Sequence, residues 1–197
     1  MVLVTGPSNH CYLQLMNIDL LETSFDLVRP QASAFSASFY QTLFKHHPEL
    51  EPMFDSISRS AQEKKLIFSL AAIVDNLRNP EVLESALKGL GARHFQVGTL
   101  AEHYPFVGQA LLETFASYLG AAWTSEMVAA WSDAYEGIAT IMLDGAKEPE
   151  VYLEPELTFY DWIDLYGEEN PRIKEAFASL TEFHYGSRPE PETIRQA

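Results

Sequence analysis

Between residues 19 and 146 the apolar side chains return every three or four positions, and proline or glycine interrupts the pattern at about one helix length. Leu21, Phe25 and Val28 form the first series, which stops at Pro30, where the ring would clash with the preceding turn. Residues 32–46 form the second, with Phe35, Phe39, Leu43 and Phe44 on one face. The segment from His47 through Pro48, Glu49, Leu50, Glu51, Pro52 and Met53 to Phe54 carries two prolines and reads as a short helical corner. Residues 61–77 follow as an amphipathic helix presenting Gln62, Leu66, Ser69, Leu70 and Ile73. Pro80 suits a first helical turn, from which Val82, Leu83, Leu87 and Leu90 lead down to His94. Pro105 opens a further block through Val107, Leu111, Leu112, Phe115 and Leu119. Thr124 or Ser125 caps the last long helix, through Val128, Trp131, Tyr135, Ile138 and Met142. Strand-like alternation is scarce, so the fold class is all-α.

The chain divides into an N-terminal extension (1–18), a helical domain (19–146) and a C-terminal extension (147–197). Its 197 residues suffice for one buried core with appendages. The last segment is acidic and interrupted by Pro149, Pro155, Pro171, Pro189 and Pro191. It also holds Phe159, Tyr160, Trp162, Ile163, Leu165 and Tyr166, too many large apolar residues for a plain disordered tail, so short helices are expected near Tyr160 and over residues 171–183. A formal charge of −15 repels phosphate and excludes nucleic-acid binding. No apolar run approaches the roughly 20 residues that span a bilayer, so no membrane helix is expected. The first residues lack a signal-peptide pattern, and the lone Cys11 cannot form an internal disulfide, which points to a cytoplasmic protein.

His94 closes a helical block and offers its imidazole to the bundle interior. Such a histidine is either a core residue or an axial ligand, of the kind that holds haem iron. The surrounding motifs narrow the choice. Phe39-Tyr40-x-x-Leu43-Phe44, His47-Pro48-Glu49-Leu50-x-Pro52-x-Phe54, Lys65-Leu66 and His94-x-x-x-Gly98-x-x-x-x-His103-Tyr104-Pro105-x-x-Gly108 keep one order and spacing. Together they resemble the globins, in particular the single-domain bacterial haemoglobins and the globin domain of flavohaemoglobins, over about two-thirds of the chain.

The resemblance implies a globin fold around haem b and assigns His94 as the proximal iron ligand. Phe54 matches the corner phenylalanine that stacks on the porphyrin, a role compatible with being a core aromatic. Tyr40 matches the position that faces bound gas; its alternative is a buried tyrosine bonded to backbone. Gln62 falls on the distal site, with Leu66 one turn later over the iron; the alternative for Gln62 is plain surface. Leu87 is assigned to the cofactor's lining, and Arg93 either pairs with a propionate or lies in solvent. Tyr104 matches a tyrosine that, with a glutamate, hydrogen-bonds toward the proximal histidine and makes it a stronger electron donor. Here the glutamate's position is Ala146, and the nearest carboxylates, Asp144 and Glu148, are rotated off that face. His46, His47, His10 and His184 read as surface residues, and His103 as a helix-start residue.

The implied function is reversible binding of dioxygen or another diatomic gas at a five-coordinate iron. One alternative is a haem-based sensor acting through residues 147–197 on a protein partner or a second copy of the chain. Another is a nitric oxide dioxygenase working with a separate reductase, since 51 residues after the core are too few for a flavin- or nicotinamide-binding domain. The absent glutamate shifts the expectation from enzyme to gas binder.

Overall fold

The computed structural model describes residue 13 and residues 16–55 and 58–152. Among these residues every regular element is helical. Helix α1 spans Ile18–Val28, α2 Ala32–His46, α3 Arg59–Asp75, α4 Pro80–Gln96, α5 His103–Leu119, α6 Ser125–Gly145 and α7 Pro149–Tyr152, with 3-10 turns at Arg29–Gln31, Pro48–Phe54 and Gly120–Ala122. Cys11, the helices expected near Tyr160 and over 171–183, and most of both extensions lie outside the described residues.

The helix starts follow local chemistry. Side-chain oxygens of Asn17, Ser58 and Thr124 accept the amides of Leu20, Ala61 and Met127, satisfying donors that have no partner within the helix. Two expectations shift. The block assigned to Pro105 begins at His103, because a proline in a first turn gives up only an amide that the helix does not use. The face assigned to α3 is also displaced. Ile67, Ala71, Ile73 and Val74 are buried, whereas Gln62, Leu66, Ser69 and Leu70 are half-buried. Helix α3 packs on α2 and α1, so its buried stripe is the one turned toward them.

The core centres on Phe25, Phe35, Phe115 and Trp131, with the Phe115 and Trp131 ring centroids 4.2 Å apart and those of Phe35 and Phe115 4.8 Å apart. Trp131 and Ser24 sit deep within it without leaving polar groups unmet. The indole N–H donates to Ser24 Oγ at 2.8 Å, and that hydroxyl donates to the Leu20 carbonyl at 2.6 Å.

Helices α4 and α6 cross with their backbones almost touching. A Cβ at Gly91 would fall inside the carbonyl group of Met142, and a Cβ at Gly145 would fall inside the backbone of Lys88. Each helix therefore contributes one glycine notch for the other. Helix α7 packs along the outer side of α4.

One buried ion pair ties the 3-10 turn after α1 to the end of α3. Arg29 Nη2 donates to Asp75 Oδ1 at 3.0 Å, with the Asp75 side chain only 1% exposed and the guanidinium 5.0 Å over the Phe25 ring. Arg29 Nε also donates to the more exposed Asp26 at 3.1 Å, so neutralising Asp75 leaves the guanidinium one partner and removes the buried one. Asp75→Asn is expected to lower stability by about 2–4 kcal/mol in urea unfolding; a change within experimental error would show that Asp26 alone satisfies Arg29.

Candidate functional site

The end of α4 is fixed by its own cap. Gly98, at φ +85°, takes the left-handed turn that a side chain resists. The amides of Gly98 and Thr99 then return to the carbonyls of Phe95 and His94 at 3.0 and 2.9 Å, the double bond pattern that closes a helix on a glycine. The glycine that follows His94 in the sequence motif thus anchors the backbone of His94.

The ring of His94 is anchored as well. Nδ1–H donates to the Leu90 carbonyl at 2.9 Å, which leaves Nε2 carrying the lone pair. Burial, and to a lesser degree the Arg93 charge, holds the imidazole below its ordinary pKa, while the Leu90 bond acts the other way. A neutral, oriented imidazole with one free basic nitrogen is what iron or another borderline metal requires.

Tyr40 is 5% exposed and lies in an aromatic group. Its ring centroid is 5.1 Å from Phe39, 5.8 Å from Phe44 and 5.6 Å from Phe54, and Phe44 and Phe54 lie 5.3 Å apart. The Tyr40 hydroxyl donates to the main-chain carbonyl of Gln62 at 3.3 Å. That is long for an O–H donor, which usually sits about 2.7–2.8 Å from its acceptor, so the bond is weak and exchangeable. The sequence expectation for Tyr40 had two branches, a gas-facing donor or a hydroxyl bonded to backbone, and the described contact is of the second kind.

Helices α3 and α4 pack on different neighbours, α3 on α2 and α1, α4 on α6 and α7. Helix α3 carries half-buried Gln62, Leu66 and Leu70, and α4 carries half-buried Leu90 and His94. Leu87 is fully enclosed in the core. Arg93 is half-buried and turned onto the α7 side: a Cβ at Gly89 would lie 3.6 Å from Arg93 Nη2 and 3.7 Å from the Tyr152 carbonyl oxygen.

Tyr104 is 7% exposed in the first turn of α5. Sequence reading missed its companion, Tyr135, which it placed simply on the apolar face of α6. The Tyr135 hydroxyl donates to the Tyr104 carbonyl at 2.7 Å, and its ring lies against Gly108, where a Cβ would come within 2.7 Å of Cε1. The signal was the glycine itself, one turn after Tyr104, where only a missing side chain admits a ring. Asp144, one of the two carboxylates nearest Ala146 in the chain, pairs with Lys88 at 3.6 Å and Lys147 at 3.2 Å.

Burial alone pushes the Tyr104 phenol up to about 12. An unfolded phenol titrates near 10, so the folded chain holds this proton more tightly. The contribution is constant below pH 10 and is lost as pH rises toward 12. Urea midpoints should therefore fall over that window, and Tyr104→Phe should flatten part of the slope; an unchanged slope would mean that Tyr104 is not the buried phenol responsible.

The remaining histidines divide. His46 is exposed and reaches Glu113 at 3.0 Å, as a surface residue should. His47 is not surface: it is half-buried, its ring 3.9 Å from that of Phe106, because the proline corner folds it onto α5. His103 Nδ1 accepts the Leu100 amide at 3.2 Å, the helix-start role expected of it.

The residues fit a haem: a neutral imidazole with its second nitrogen already bonded, half-buried apolar side chains on α3 and α4, and a hydroxyl donor near α3. Comparison with known proteins agrees. The Globin family model matches residues 37–142. A flavohemoprotein of Rhizobium meliloti is 32% identical over 146 residues, covering 73% of this chain and 36% of its own. The chain thus spans little more than a third of the length of the curated relatives it matches. Among solved structures, a bacterial globin from Campylobacter jejuni is 26% identical with a TM-score of 0.60, covering 70% of this chain and 97% of that one. An engineered carbene transferase from Rhodothermus marinus is 27% identical with a TM-score of 0.59, covering 75% and 96%. Helix order, the cap that fixes His94 and these similarities lead to one conclusion: the chain belongs to the globin family.

Proposed function

We propose that residues 19–146 form a gas-binding unit that holds haem b through His94 Nε2 and binds dioxygen or another diatomic gas reversibly. The observation that carries this reading is the His94 Nδ1–H bond to the Leu90 carbonyl, which fixes the tautomer and aims the basic nitrogen away from its own helix. When bound, haem would supply an iron able to take up the gas. The chain supplies the rest. Phe54 and Leu66 line the cofactor, with Leu87 behind them in the core. Tyr40 and Gln62 act as donors toward the gas, each contributing about 0.5–1.5 kcal/mol, or roughly a two- to tenfold slower escape. The cluster of Phe39, Phe44 and Phe54 keeps water from Tyr40.

Binding is favoured over activation by the position of Asp144. With that carboxylate held by Lys88 and Lys147, Tyr104 has no acidic companion among the described residues to strengthen electron donation through His94. Purified protein given haem should develop a Soret band, a five-coordinate ferrous spectrum, a carbon monoxide complex and a slowly oxidising dioxygen form. Absence of a Soret band after reconstitution would refute the reading.

A second reading, nitric oxide dioxygenation with a separate reductase, draws support from the similarity to flavohemoproteins. Its test is sustained nitric oxide consumption with an added flavin reductase and reduced nicotinamide. A single stoichiometric burst would assign the chain to gas binding.

No helix among the described residues is long and apolar enough to cross a membrane.

A further inference from the structure

Arg59 opens α3 at a position where electrostatics disfavour a cation. A helix N-terminus carries partial positive charge, yet the first turn of α3 contains Arg59 and no acidic residue. What offsets the mismatch lies across the corner. The guanidinium carbon stands 4.6 Å from the Phe44 ring centroid and 5.6 Å from that of Tyr40, and Nη2 reaches Glu51 Oε1 at 3.3 Å. A cation is attracted to the negative face of an aromatic ring, so both rings and the carboxylate hold Arg59 over the corner.

Tyr40 is the residue these contacts constrain. Phe39, Phe44 and Phe54 surround its ring, and Arg59 adds a charged neighbour. Its hydroxyl bond to Gln62 is long and holds the side chain only weakly. The hydroxyl sits at the far end of a long side chain, so a small swing about the Cα–Cβ bond carries it out of hydrogen-bonding reach. The packing around the ring therefore helps to set where the donor points.

We propose that Arg59 is a positioning residue for Tyr40. With Glu51 it holds the ring so that the hydroxyl can pass from the Gln62 carbonyl to a gas molecule without leaving its place. This rests on the gas-binding reading above, and the test separates the two.

In the full-length, haem-loaded chain, Arg59→Gln should speed dioxygen release by roughly two- to tenfold, the range of one net hydrogen bond. It should also move the C–O stretching band of the carbon monoxide complex toward that of Tyr40→Phe. Arg59→Lys keeps the cation and should retain most of the wild-type behaviour; Glu51→Gln should fall between. In a Tyr40→Phe background, Arg59→Gln should change neither observable further. Equal changes in that background would overturn the proposal by showing that Arg59 acts on the gas directly, and so would an unaltered band and release rate in Arg59→Gln alone. If the wild-type chain forms no carbon monoxide complex, the gas-binding reading fails. The positioning claim is then decided by thermal unfolding of the haem-free chain, where the Arg59→Gln and Tyr40→Phe effects on Tm should be non-additive and additivity would sink it.

Discussion

His94→Gly is expected to weaken haem binding by more than about a hundredfold and to erase the ferrous carbon monoxide spectrum, with added imidazole restoring both. Losing only the outer hydrogen-bond partner of a metal ligand typically costs about 10–100-fold in affinity, so losing the ligand itself sets that as a lower bound. The expected rescue follows from how His94 is held. Its ring is oriented by the Leu90 carbonyl, and its backbone by the Thr99 amide, so removing the side chain leaves the helix end closed and the acceptor in place. A free imidazole can donate to the same carbonyl and present its other nitrogen in the same direction. Titration of haem into the variant, with and without imidazole, measures this directly. Tight haem binding with an unchanged spectrum in the absence of imidazole would move the axial ligand to another residue.

Gly91→Ala is expected to destabilise the chain by at least about 3 kcal/mol, although alanine is the better helix former by about 1 kcal/mol. The steric effect wins because the new methyl group would meet the Met142 backbone, which cannot rotate away as a side chain could. Overpacking against side chains costs about 1–3 kcal/mol, and backbone is the harder case. Against a total stability on the order of 5–15 kcal/mol, this is enough to lower the yield of folded protein. Gly89 provides the internal control. It lies two residues earlier in the same helix, and a Cβ there would meet its nearest neighbours at 3.6 and 3.7 Å, ordinary contact distances. Gly89→Ala should therefore be neutral or stabilising by up to about 1 kcal/mol. Urea unfolding of both variants tests the contrast, and equal destabilisation would contradict the notch.

The sequence carried much of the fold because its boundaries are set by local rules. Pro30 and the Thr124 cap act over a few residues, and both elements begin or end where those residues say. His94 and Gly98 were legible for the same reason, being four residues apart on one helix end. The buried stripe of α3 was harder. Leu66 and Leu70 recur at the proper period, but periodicity does not say which of two adjacent stripes meets α2 and α1. Tyr135 and Arg59 were missed because each acts through residues distant in the chain, Tyr104 with Gly108 in one case and Tyr40 with Phe44 in the other. A tyrosine hydroxyl bonded to a carbonyl 31 residues away leaves no spacing pattern to detect. The notch at Gly91 was likewise silent, since a glycine inside a helix reads only as a weak helix former.

The paired notches of α4 and α6 also have a mechanical meaning. Two backbones that interlock at Gly91 and Gly145 cannot slide along each other without first separating, so the register of α4 on α6 is locked. The end of α4 that carries His94 is closed separately, by the amides of Gly98 and Thr99, so the two parts of the helix are held by different means.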